Sequence, residues 1–166
     1  MYEDAFTSLP FRKDEELKIL DVGCGLGFLS CLSAEFYPKA QITAFDTFAD
    51  QSLNASNLQK AENNARILGF SNRIHFEKGN LLTFTTSENF DIFVSNLVFH
   101  NLGRKRFEAY SRLSSWANVG SYIVMGDWFF SLKTDLKRLS KLFTVLDQMK
   151  ASGHYTFLIM MKTRNS

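Results

Sequence analysis

The chain has 166 residues, 45% hydrophobic and 22% charged, with seventeen phenylalanines, which is enough apolar mass for about one domain and too much for a disordered or low-complexity chain. Nineteen Lys and Arg against seventeen Asp and Glu leave a net charge of +2, too small to call for a polyanion, so a nucleic-acid partner is not favoured. The two cysteines, Cys24 and Cys31, lack the spacing of a disulfide framework or a zinc finger, so no metal site is expected and a reducing cytoplasm is the expected compartment; the apolar runs are too short for a signal peptide or a membrane span.

Met1 to Glu16 is polar and interrupted by Pro10, and reads as a short extension of a single domain covering residues 1–166. Leu17 to Val22 is a continuous apolar stretch ending in glycines, the pattern of a buried strand. Phe28 to Tyr37 carries helix formers ahead of Pro38, and Gln41 to Phe45 is a second strand. Ser52 to Leu68 predicts a helix, with Leu58, Ala61, Ala65 and Leu68 on one face and Gly69 as its stop. Arg73 to Glu77 is a third strand, and Phe90 to Ser95 is a fourth, nearly all apolar as in a parallel sheet covered on both faces. Phe107, Tyr110, Leu113 and Ala117 fall at helical spacing, Tyr122 to Met125 is a fifth strand, and Leu132, Leu136, Leu139 and Phe143 mark another helix. Phe143 to Leu146 and Tyr155 to Met161 are separated by too few residues for a crossover, so they should pair as an antiparallel hairpin. The alternation predicts an α/β fold, an open, doubly wound, mostly parallel sheet of seven strands with a reversed last strand, whose ligand site lies at the carboxyl ends of the strands.

The strongest local signal is Leu20-Asp-Val-Gly-Cys-Gly-Leu-Gly-Phe28, a glycine turn between strand and helix. Gly23, Gly25 and Gly27 permit positive φ and close approach of backbone to ligand. Phe28 stands where a dinucleotide fingerprint needs its third glycine, and no Gly-Lys-Ser/Thr follows for a triphosphate loop.

With Asp21 ahead of these glycines, the motif resembles the first motif of the class I S-adenosylmethionine-dependent methyltransferases, and the resemblance runs over nearly the whole chain. It implies S-adenosyl-L-methionine as cofactor, with Asp21 and the loop at its methionyl end, including Cys24, and Asp46 with Thr47 at the ribose. It also implies Asn80 and Leu81 at the adenine, where Asn80 replaces the usual Asp but retains an acceptor oxygen. Asn96 to His100 falls at the methyl-transfer edge, with Asn96 also against the cofactor, Asn96 and His100 as the catalytic candidates, and His100 as the base if the acceptor must lose a proton.

Leu97 and Val98 replace the prolines used for amino-group acceptors, so the run is more similar to the small-molecule branch of the family. A small-molecule methyl acceptor is therefore expected, with RNA and protein left open. Because only Met1 to Glu16 could serve as a lid, an open site or one completed by a partner chain or a second copy is allowed. A nicotinamide-dependent oxidoreductase and a non-catalytic cofactor-binding subunit are the rivals. The basic sets Arg104-Lys-Arg106 with Arg112, and Lys133, Lys137, Arg138 and Lys141, read as solvated helix faces, with tracking of a phosphate backbone as the alternative. Asp127 either faces the cleft or caps the next turn.

Overall fold

A computed structural model describes residues 1–49, 57–151 and 153–164. Its seven strands run in the order β3-β2-β1-β4-β5-β7-β6, with β1 at Lys18–Val22, β2 at Gln41–Asp46, β3 at Ile74–Lys78, β4 at Phe90–Asn96, β5 at Ala117–Trp128, β6 at Thr144–Lys150 and β7 at Tyr155–Met161. This is the expected α/β sheet with a reversed last strand. The chain divides into two compact units, residues 1–84 and 85–166.

In the first unit β1, β2 and β3 are parallel, and helix α2 (Phe28–Phe36) joins β1 to β2. Ile19, Leu20, Val22, Ala44 and Phe45 are all buried, which is why these stretches read as unbroken apolar runs. Helix α3 (Leu58–Ile67) begins at Asn57, whose side chain accepts a hydrogen bond from Lys60 N at 2.8 Å, a side-chain cap that satisfies an otherwise free donor. The expected start at Ser52 lies outside the described residues. Gly69 follows at φ +80 and ends the helix as expected.

The N-terminal segment differs from expectation. Tyr2–Ser8 forms helix α1 with Tyr2, Ala5 and Phe6 buried. Phe6 packs on Phe36 and Tyr37 at 5.4 and 5.6 Å, and the Tyr37 hydroxyl donates to Phe6 O. These residues lie at the end of α2 remote from the glycine loop, so α1 is anchored there and is not a cover for that loop.

In the second unit β4 and β5 are parallel, while β7 pairs antiparallel with both β5 and β6. A 3₁₀ helix (Phe99–Lys105) and α4 (Arg106–Trp116) connect β4 to β5, and α5 (Leu132–Leu139) precedes β6. Strand β5 begins at Ala117, five residues before the expected Tyr122. The extra residues form a bulge: register passes from Phe90↔Ala117 to Ile92↔Tyr122, Gly120 adopts φ +95, and the Ser121 hydroxyl donates to Phe90 O at 2.7 Å. Exposed Asn118, Val119 and Gly120 break the alternation that would have marked a strand.

Candidate functional site

The first cluster lies wholly in residues 1–84. Gly23, Gly25 and Gly27 adopt φ of +73, +54 and +83, which carries the chain sharply from the end of β1 into α2. The turn is tied to the end of β2: Gly23 N and Cys24 N both donate to Phe45 O at 2.9 and 3.1 Å. Gly25 N donates to Asp46 Oδ2 at 3.0 Å, and Phe48 N to Asp46 Oδ1 at 2.7 Å. The Thr47 hydroxyl also donates to Oδ1, at 3.4 Å, so Oδ2 keeps acceptor capacity, and Asp46 is half-buried at the strand end, an arrangement that fits a ribose hydroxyl. Thr47 sits beside it, its hydroxyl accepting from Ala49 N at 3.3 Å.

Asp21 is almost fully buried and accepts a 2.5 Å bond from the Ser30 hydroxyl in the first turn of α2. Burial, partly offset by Ser30, pushes its carboxyl up to about 7. Cys24 is buried too, and burial raises its thiol well above the ordinary range; its carbonyl accepts from Gly27 N, so this residue holds the turn through its main chain. Asn80 is exposed, and its side-chain oxygen accepts from Leu82 N at 2.9 Å, an Asx turn that retains one free lone pair. Leu81 is buried. The turn is set by the Phe45–Phe84 stack at 4.1 Å and by Gly79, where a Cβ would fall 2.9 Å from Phe84.

The second cluster lies wholly in residues 85–166. Asn96 ends β4, and its Oδ1 accepts from the Tyr155 hydroxyl at 2.9 Å. Leu97 then takes φ +58, held by its N–H donating to Gly126 O at 2.8 Å. That turn aims the chain into the 3₁₀ helix, where His100 Nδ1 lies 2.6 Å from Asp127 Oδ1. Asp127 also accepts from Phe99 N and Trp128 N, both at 2.7 Å. Burial raises its carboxyl above the ordinary value, and the His100 hydrogen bond opposes this. Against an ionised Asp127, which only accepts, a neutral His100 would carry its hydrogen on Nδ1 and present the lone pair of Nε2. The His100 side chain is 13% exposed and its ring lies 4.9 Å from that of Trp128.

Asp127, expected to face the cleft or to cap the turn after it, is bonded to His100 and to the N–H groups of Phe99 and Trp128. Ser30 and Tyr155, the hydrogen-bond partners of Asp21 and Asn96, were not among the expected residues. Among the described residues the non-glycine positive-φ positions are Phe48 and Leu97, one just after Asp46 and one just after Asn96. Strained backbone is rare for such side chains and gathers at functional sites. No group of three or more His, Cys, Asp or Glu able to hold a metal occurs among the described residues, and no described helix is long and apolar enough to cross a membrane.

A family model described as a methyltransferase domain matches residues 13–161. The malonyl-[acyl-carrier protein] O-methyltransferase of Halalkalibacterium halodurans is 27% identical over 146 residues, which cover 83% of this chain and 50% of that protein. The tRNA1(Val) (adenine(37)-N6)-methyltransferase of Vibrio cholerae is 32% identical over 85 residues, 51% of this chain and 33% of that one. Half or less of each relative's length is therefore spanned. Among solved structures, the N-methyltransferase NodS of Bradyrhizobium japonicum, in complex with S-adenosyl-L-homocysteine, shares the fold, with a TM-score of 0.75 and 16% identity over 98% of this chain and 86% of that one.

Proposed function

Since the chain belongs to the class I S-adenosylmethionine-dependent methyltransferase family, we propose that it transfers a methyl group from S-adenosylmethionine to an acceptor whose proton His100 removes. The observation that carries the cofactor reading is the bracing of the glycine turn by Asp46, which leaves one carboxylate with acceptor capacity beside three positive-φ glycines. The glycine turn receives the methionyl end, with Asp21 fixing the start of α2 through Ser30. Asp46 and Thr47 receive the ribose, and Asn80 and Leu81 border the adenine. When bound, the cofactor supplies an electrophilic methyl group on a positively charged sulfur. The protein's share is to hold the acceptor near attack distance, exclude water and take up the acceptor's proton at His100 Nε2. Asn96, fixed by Tyr155, presents its amide N–H groups to the acceptor.

A small-molecule acceptor fits the departure of Leu97 and Val98 from the amino-group pattern. A second reading, a nucleic-acid acceptor, is favoured by the charge distribution within residues 85–166. Two buried free cysteines fit a reducing, cytoplasmic setting. Calorimetry with S-adenosylmethionine, S-adenosylhomocysteine and NAD tests the cofactor: the first two bind and NAD does not. Asp46→Ala should weaken S-adenosylhomocysteine by about 10- to 100-fold, the worth of a charge-assisted contact to the ribose. NAD binding in place of the other two, or full affinity in the Asp46 variant, overturns the assignment.

A further inference from the structure

The net charge of +2 conceals a strong asymmetry. Residues 1–84 hold eight Lys and Arg against eleven Asp and Glu, whereas residues 85–166 hold eleven against six. Within residues 104–141 the imbalance sharpens. Arg104, Lys105, Lys133, Lys137, Arg138 and Lys141 are exposed, and Glu108 is the exposed carboxylate in that stretch. Its other two carboxylates, Asp127 and Asp135, are buried and engaged by His100 and Arg106. An ordinary solvated helix face interleaves both signs; this one does not.

The start of α4 and helix α5, which border these cations, are tied together. Arg106, at the start of α4, reaches Asp135 on α5 through Nε at 2.7 Å, and the Tyr110 hydroxyl donates to the same carboxylate at 3.0 Å. Arg106 and Arg138 both lie over the Phe107 ring, at 4.3 and 5.3 Å. Arg104 and Lys105 follow Gly103, whose φ of +53 and ψ of −127 break the 3₁₀ segment after His100, so these two cations stand four and five residues beyond the proposed base in the chain. Two uncovered aromatic rings stand at and just beyond the end of β5, Trp128 at 46% exposure, with its ring 4.9 Å from that of His100, and Phe130 at 67%. Phe130 lies two residues before α5, with its ring 5.2 Å from that of His154. Exposed cations together with exposed rings are the combination that binds single-stranded nucleic acid, in which phosphates are neutralised along the strand and unpaired bases stack on aromatic faces.

We propose that the exposed cations of Arg104, Lys105 and α5 and the rings of Trp128 and Phe130 dock a single-stranded nucleic acid and lead one of its unstacked bases toward His100. An acidic protein would satisfy the cations but has no use for exposed aromatic rings at the catalytic end. The assignment of a base as methyl acceptor rests on the function proposed above; the docking surface does not.

Fluorescence anisotropy with a labelled 20-nucleotide single-stranded RNA, its DNA counterpart, the RNA duplex and polyglutamate tests the surface on the intact chain. Binding of the single strands should exceed that of duplex and polyglutamate. Four phosphate contacts would give a salt slope of about −2.8 and roughly a 50-fold loss between 50 and 200 mM salt. Lys137→Glu combined with Lys141→Glu should flatten that slope, while Phe130→Ala should lower affinity about tenfold or more with the slope unchanged. All of these substitutions are at exposed positions outside the proposed cofactor site, and calorimetry with S-adenosylhomocysteine should return wild-type affinity in each. No binding of single strands at 50 mM salt, binding indifferent to charge reversal, or equal capture of polyglutamate overturns the proposal, the last pointing to an acidic protein partner. Nucleic-acid binding without S-adenosylhomocysteine binding overturns the methyltransferase reading alone and leaves the surface standing.

Discussion

Replacing Asp127 with Asn tests the catalytic reading most sharply, because the side chain keeps its size and loses its symmetry. In the folded protein Oδ2 accepts from Phe99 N, while Oδ1 accepts from Trp128 N and lies 2.6 Å from His100 Nδ1. An amide has one oxygen, so either orientation turns its NH₂ toward a backbone N–H. A buried donor left unpaired costs about 1–3 kcal/mol, which predicts a lower melting temperature.

If the oxygen stays with Phe99, the NH₂ also faces His100 and favours the tautomer protonated on Nε2, which removes the base. Turnover should then fall by about 10² to 10⁴, while affinity for S-adenosylhomocysteine, whose proposed contacts do not include Asp127, should be unchanged. Nitrogen-15 NMR of the imidazole reports the tautomer without requiring the acceptor: the wild-type ring should carry its hydrogen on Nδ1, the variant on Nε2. Identical histidine spectra in the two proteins, together with undiminished turnover once an acceptor is identified, would refute the partnership.

Other outcomes follow from the first unit. Gly27→Ala should destabilise by about 2–4 kcal/mol in urea unfolding, because φ is +83 and the new Cβ would lie 2.9 Å from the Phe76 ring. Asp21 is buried, with its carboxyl raised from 3.8 to about 7. The folded state therefore holds its proton over a pH range in which the unfolded state has released it, so stability should fall as pH rises from about 4 to 7, by on the order of 4 kcal/mol at most. Asp127 is shifted in the same direction, so the comparison is between wild type and Asp21→Asn: the variant's stability curve should be the flatter over that range, and parallel curves would contradict the assignment. Ser30→Ala removes the one hydroxyl bonded to Asp21 and should raise the pH at which this loss is complete.

Strand and helix alternation was legible because burial on both faces leaves long apolar runs, as in Phe90 to Ser95. Asp46 was legible as a position, since its strand ends where the apolar run ends. The atoms it engages were not, because its bond to Gly25 depends on the loop closing back over β2. Helix α1 was illegible for a different reason: Tyr2, Ala5 and Phe6 make too short an apolar face to stand out, and gain their burial from Phe36 and Tyr37. The link between His100 and Asp127 spans 27 positions, and no local pattern relates a strand-end carboxylate to a residue in an earlier turn. Leu97 gave no warning of positive φ, because that conformation is imposed by Gly126 on a neighbouring strand and not preferred by leucine.

The place of β7 between β5 and β6 bears on how the second half of the chain is made. Residues 117–128 and 144–150 leave the ribosome before the strand that joins them, so until residues 155–161 emerge β5 lacks its antiparallel neighbour and β6 lacks the strand it pairs with. During synthesis these segments present unsatisfied backbone and the apolar stretch Ile123 to Met125 to solvent, the kind of surface that chaperones hold and proteases cut. Protease resistance of this half should therefore arise late and abruptly, as nascent chains stalled before and after Met161 would reveal.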